Sequence, residues 1–340
     1  MGILDWFKNR PAQFEPDSLP DEVVTKAIDK AIALTNPRLK LIRSSQEQLA
    51  SPVQKCVSYL RDGMLKLPAA IEVSNANWSS EPVLRAFFAS AQDLTLALGR
   101  SRNLRTFFEK YSSLDSAYIV LGMTYNERHV RGLSLQGDIV QQDASQKVID
   151  FSVPRVRICG QTEQEVRRLL GAQSFEYLVA QAMTEISEIR SERLELEDSR
   201  NLIRARLRLL QQQGPGLGSV FEAGPENTEQ LKLETQLLEN ERQMEEIGSS
   251  QEVLENELEC LCEVLDNPER YIRFERTEVK MSTLNVVLDE DSTDVSSNVV
   301  FTMAILAGMP SVHRAFVLGK LKRSELPKVT LNIANAERFL

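Results

Sequence analysis

Four cysteines and two histidines are the residues from which metal or nucleophilic chemistry would first be built. Their spacing works against both. Cys260 and Cys262 form a C-x-C pair in a strongly helical stretch. Residues two apart on a helix lie on different faces and do not converge on one tetrahedral site. Cys56 and Cys159 stand far away in the chain, a scatter that reads as reduced thiols rather than a disulfide framework and gives a cytoplasmic expectation. His129 follows Glu127 and Arg128 at an expected helix end, where a cationic ring suits the helix dipole. His313 is expected in a turn before a strand. Neither has the neighbours of a triad or a metal site. No catalytic residue, cofactor-binding residue or metal ligand is assigned, and no cofactor is expected. The expectation is a protein that is not an enzyme, with a site assembled across an α+β base kept as the last alternative.

Glycine supplies the next candidate. Gly214-Pro215-Gly216-Leu217-Gly218-Ser219 invites a phosphate-loop reading, but a P-loop needs a lysine after its last glycine and a strand before its first. Here the preceding element is a charged helix, so the segment reads as a sharp reversal. Its apolar members place a protein-partner contact at Gly216, Leu217, Val220 and Phe221. At the start of the chain, Ile3, Leu4, Trp6 and Phe7 cluster beside Lys8 and Arg10, ahead of a tether carrying Pro11, Pro16 and Pro20. Such a segment either packs on the protein's own helices or touches a membrane interface, where tryptophan is favoured. The start lacks the apolar run of a signal peptide, and no stretch of about 20 apolar residues is present to span a bilayer. A net charge of −9 argues against broad nucleic-acid binding.

The elements that must carry these residues follow from periodicity. Residues 1–17 are the amphipathic start and tether. Residues 18–130 read as a helical region, with helices to Asn36-Pro37, from Arg38 to Leu67 with a break at Ser51-Pro52, from Glu81-Pro82 to Leu98, and near 101–111 and 116–128. Alternation then marks a mixed-sheet base over 131–161 and 267–325. It appears at Leu133/Leu135, Ile139, Val156/Ile158, Ile272/Phe274, Val279/Met281, Leu284/Val286/Leu288, Val299–Leu306 and Ala315–Leu321. A hairpin turn is expected at Gln142-Asp143-Ala144-Ser145, and 326–340 reads as a tail.

Between the two halves of the base, 162–266 carries sustained heptads. In the first arm, ten of twelve a and d positions are apolar, from Ala172 and Phe175 to Leu207 and Leu210. In the second arm, eight of ten are, from Leu233 and Leu237 to Leu261 and Leu265. Folding the chain back about its glycine-rich tip, 214–225, sets Leu207 against Leu233, Ile203 against Leu237, Leu196 against Met244 and Ile186 against Leu254. Every a then meets a d, as in antiparallel helices. Arg200 and Asn240 share one layer and are expected to hydrogen-bond and fix register. Arg204 is expected beside Glu234. The second arm, 226–266, holds thirteen acids against two bases, so the acidity of the chain sits there. The fold expected is α+β: an N-terminal helical region, a mixed β-sheet base, and a long antiparallel coiled-coil hairpin inserted in the sheet region. The function expected is a structural or scaffolding interaction with a protein partner through the arm, self-association included. The alternative is a peripheral protein at the inner face of a membrane, touching it weakly.

Overall fold

The computed structural model describes residues 21–136, 139–212, 225–247, 250–289, 295–308 and 310–327. It groups into two units. Among the described residues, one comprises 57–175 and those from Pro268 on, and the other those up to Cys56 and within 176–267. The fold is α+β, as the patterning implies.

In the first unit five long strands are ordered β3-β2-β6-β5-β4: β2 (Ser116–Gln136), β3 (Ile139–Gly160), β4 (Ile272–Ser282), β5 (Ser296–Leu306) and β6 (Val312–Lys322). All four neighbouring pairs are antiparallel. A short strand β1 (Ile71–Val73) runs parallel to Gly319–Leu321 of β6, so the sheet is mixed. The two outer strands do not stay apart. After β4 the chain turns at Ser282–Asn285, and the return segment bridges both of them, Met281 with Val287 and Val148 with Val286. Ile149 N–H donates to Asn285 O at 3.0 Å, and Val287 N–H to Lys147 O at 2.8 Å. The sheet thereby closes into a ring. Asn285 takes φ 58°, a left-handed conformation that asparagine tolerates better than branched residues. Its amide Nδ2 donates to Ala86 O at 2.9 Å.

Both faces of this sheet are covered. On one, Phe151, Tyr125 and Phe301 pack with Phe87, ring centroids 4.8 to 6.4 Å apart, under helices α3 (Pro82–Phe87), α4 (Ala91–Arg100) and α5 (Arg102–Lys110). On the other, Val120, Ile158, Phe316 and Leu318 pack with Met64 and Leu67 near the end of α2 (Ser45–Leu65) and with Val166 at the start of α6 (Glu163–Gln212). Arg167 clamps this second face. Its guanidinium donates to the carbonyls of Met64, Leu67 and Pro68 at 2.6 to 2.9 Å and pairs with Glu163 at 2.6 Å.

Four local expectations are corrected here. Residues 116–128, read as a helix, are the first half of β2, so His129 lies in a strand and not at a helix end. His313 likewise lies within β6. With both faces covered, Ile119, Val120 and Leu121 are all buried in succession, which erases the alternation that marks a half-exposed strand. Gln142–Ser145 form no turn; they belong to β3, whose pairing with β2 runs out to Gln136↔Ile139. The stretch 81–98 is two helices, because Ser90 caps a new one by accepting from Asp93 N–H.

In the second unit, the apolar spacing of Ala27, Ile28, Ala31 and Ile32 forms the buried face of α1 (Asp21–Leu34), which ends at Asn36-Pro37. α2 continues through Pro52 unbroken, with Val53 and Cys56 fully buried beyond it. The remainder is α6 with α7 (Pro225–Ile247) and α8 (Ser250–Asp266), inserted between β3 and β4. At 50 residues, α6 rises about 75 Å.

Replacing Asn285 tests the ring closure. Asn285→Val is expected to cost about 1–3 kcal/mol from the strained φ, beyond the loss of its amide bond. Asn285→Gly, which keeps the turn, should cost only about 1 kcal/mol. Urea unfolding checks the order, and faster amide exchange at Ile149 and Val287 localises it.

Candidate functional site

The contacts of α6 with α7 and α8 run in antiparallel order. Every a and d side chain described in them is buried or half-buried, while the b, c and f positions flanking the far half are exposed. Leu207 and Leu233, expected to face one another, are both buried, as are Ala182, Ile186, Leu258 and Leu261. Direct contacts tie the arms at three levels: Arg204 to Glu241 at 2.7 Å, Asn240 to the Leu196 carbonyl at 3.1 Å, and Arg190 to Glu257 at 2.6 Å.

Two details of the expected register are corrected. Arg204 pairs with Glu241 rather than Glu234, one heptad nearer the base of the arm. Helical side chains lean toward their own N-terminus, so an arginine on α6 reaches toward higher numbers on the opposing helix. Arg200 and Asn240 do not bond. Asn240 is buried and donates to Leu196 O, while its Oδ1 and the buried Nε of Arg200 have no hydrogen-bond partner among the described residues. The short amide reaches the backbone of the opposing helix before it reaches the arginine.

The strongest polar contact of this unit lies elsewhere. Glu257 is 2% exposed and accepts from Arg190 at 2.6 and 2.8 Å and from Asn36 Nδ2 at 2.6 Å. Burial alone would raise its pKa. The hydrogen bonds from Arg190 and Asn36, with the charges of Arg190 and Arg38, outweigh burial and hold it below the usual carboxylate range. At position g of a two-stranded coil Glu257 would stand exposed. Here the turn at Asn36, held by the helix-terminating Asn36-Pro37, covers it.

The exposed flanks of the far arm carry leucine. Leu194, Leu202, Leu209, Leu231 and Leu238 are 60 to 72% exposed. Leu202 and Leu209 fall at position c, Leu231 and Leu238 at b, each pair one heptad apart. The tip residues Gly216, Leu217, Val220 and Phe221, and the N-terminal Ile3, Leu4, Trp6 and Phe7, lie outside the described residues.

A cleft of about 590 Å³ opens in the other unit, lined by residues of β2, β4, β5 and β6. Tyr125 O–H donates to Glu127, which Lys147 also holds at 2.7 Å. These two bonds, Lys147 first, keep Glu127 ionised below the usual range, while burial and Glu127 push the Tyr125 phenol up. Ser311 and His313 Nε2 stand 3.4 Å apart at the exposed rim, and Arg314 donates to Thr124. A nucleophile, a base and a group orienting that base are not brought together in the cleft among the described residues. The thiols are similarly inert. Burial pushes Cys159 and Cys260 up to about 12 and Cys262 to about 11, far from thiolate at neutral pH. Cys260 turns toward Ala182 O and Cys262 toward Gln48 O, in different directions. Among the described residues no helix is long and apolar enough to cross a membrane. Protein-family models, curated proteins and solved structures were compared with the chain, and none matches it.

Two outcomes follow for the arm. Glu257 has a depressed folded pKa, so the stability it contributes is present above the unfolded glutamate value and is lost as pH falls through the folded one. Glu257→Gln should cost about 1–3 kcal/mol at neutral pH and nothing at pH well below the carboxylate range, as followed by urea midpoints across acid pH. Arg200→Leu/Asn240→Leu should raise stability by about 1–4 kcal/mol, since two unpaired polar atoms leave the seam; a lowered thermal midpoint would contradict this.

Proposed function

We propose that the protein is a non-enzymatic structural or interaction protein whose coiled-coil arm engages a protein partner. The observation that carries this reading is the set of five exposed leucines on the flanks of the arm. Scattered surface leucines are ordinary, but heptad-spaced pairs outside the internal seam are what additional helix-packing surfaces require. The internal seam is already filled by the a and d side chains. The b and c leucines therefore contribute nothing to the pairing of α6 with α7. They cost solubility unless another surface covers them.

Charge supports the same reading. Acid is concentrated on α7 and α8, while Arg200, Arg204, Arg206 and Arg208 crowd the far part of α6. An arm with opposite charge on its two strands can orient and select a partner, even where each pair adds little affinity. The tip residues 214–225 remain the second contact proposed.

The test is affinity capture with the full chain from its native cell extract, alongside Leu202→Gln/Leu209→Gln, Leu231→Gln/Leu238→Gln and a tip-replaced form. These exposed leucines make no core contact, so each variant should unfold within about 0.5 kcal/mol of wild type. A defined protein retained by wild type and lost from a leucine variant, then reconstituted from purified components, is the expected result. Identical retention by wild type and all three variants would remove the arm as the binding surface.

A further inference from the structure

Two bulges fall close together in β3. The register against β2 slips between the Val120↔Ile158 and Leu121↔Val156 pairs, and again between Gly122↔Arg155 and Thr124↔Ser152. At the second, Val153 takes φ 51°, a conformation that β-branched residues avoid, directly before Pro154. Bulges re-aim side chains and are frequent beside functional sites. Here they bracket Arg155 and Arg157.

The edge of β3 at this point is capped by the α4–α5 junction. Ser101 Oγ donates to Val156 O at 3.3 Å, and Asn103 Nδ2 donates to Arg157 O at 2.8 Å. The junction brings a second Arg-x-Arg pair, Arg100 and Arg102, to the same place. The four arginines, with Ser101 and Asn103, line a cleft of about 270 Å³. The start of α5 lies in it, adding its partial positive charge. None of the four guanidinium groups has an ion pair or hydrogen bond among the described residues, and all four residues are exposed. In a chain of net charge −9, four unneutralised arginines converging from sequence positions fifty residues apart repel one another. Guanidinium forks match phosphate oxygens in pairs, and helix N-termini add N–H donors to the same ligand.

We propose that this cleft is a binding site for a compact, multiply charged phosphate compound. A cleft of this size accepts a pyrophosphate or the phosphorylated headgroup of a lipid, and both present the same chemistry to the arginines.

The test titrates the full chain with inorganic pyrophosphate by calorimetry, beside Arg155→Gln/Arg157→Gln and Arg100→Gln/Arg102→Gln. Wild type is expected to bind, and each paired variant to bind at least about tenfold more weakly, since a charged hydrogen bond is worth that much. Thermal unfolding shows that the variants fold. Without anion their midpoints should equal or exceed that of wild type, because repulsion is relieved, and a given pyrophosphate concentration should raise the wild-type midpoint more than that of either variant. Absence of wild-type binding, or equal binding by the variants, overturns the proposal. Co-sedimentation with phosphatidylcholine vesicles, with and without a phosphatidylinositol phosphate, separates the two sources. Pelleting only with the phosphorylated lipid, reversed by pyrophosphate, assigns the site to a headgroup. Soluble binding without pelleting assigns it to a free phosphate compound. Binding of a single-stranded oligonucleotide that pyrophosphate does not displace would overturn the proposal in favour of a nucleic-acid surface.

Discussion

A sheet whose outer strands are left open must either expose a row of unpaired backbone groups or find something to cover them. The turn at Ser282–Asn285 meets this constraint, and the first unit is organised around it. By folding the chain back from β4, it offers N–H and C=O groups to Lys147 and Ile149 of β3. With the ring closed, one face is free to bury the aromatic group of Phe87, Tyr125, Phe151 and Phe301, and the other to receive Met64, Leu67 and Val166. The same Asn285 ties the ring to α3 through Ala86. What remains of the β3 edge, at Val156 and Arg157, is covered by side chains of the α4–α5 junction. That junction cannot move without uncapping those carbonyls.

The second unit solves a different problem, that of an amphipathic α1 too short to stand alone. Its buried face is accompanied by one polar focus, Glu257, which takes hydrogen bonds from α6 and from the turn after α1. Lys30 pairs with Glu176 and Lys55 with Asp266 at the surface of the same unit. Those two are partly exposed and contribute little. Glu257 differs because it is buried and every partner is a donor.

The helices were legible in the sequence wherever one stripe is buried and the rest is wet. α1, α5, α6 and the α7–α8 stretch lie within a few residues of where periodicity places them, and the a and d side chains described there are buried or half-buried. Strands were legible in β4, and in β5 and β6 as short apolar runs. They failed at β2, where Ile119, Val120 and Leu121 are buried together, period two disappears and the stretch reads as a continuation of the helices before it. β1 went unread because three residues, Ile71–Val73, carry no period at all. The polar sites depended on long-range placement. Nothing in a linear reading joins Tyr125 to His313, or Arg100 and Arg102 to Arg155 and Arg157. Arg-x-Arg recurs also at Arg204, Arg206 and Arg208, and at Arg100/Arg102 and Arg155/Arg157 it gains meaning only when a bulged strand and a helix junction bring these two copies together.

The insertion of α6 to α8 between β3 and β4 also bears on how the chain can fold. Strands β2 and β3 are complete before the insertion begins, whereas β4, β5 and β6 follow it. Pairing β2 with β6 therefore closes a loop of well over a hundred residues, and an unstructured loop of that length makes closure slow. Helical pairing is local and fast by comparison. Once the arms zip from Arg204–Glu241 down to Cys260 and Ala182, the two ends of the insertion are held near each other. That contact takes roughly eighty residues out of the closure, saving about 0.5 kcal/mol of loop entropy. The arm thus acts on the folding pathway as a clasp, bringing two halves of one sheet within reach before either has the other to pair with.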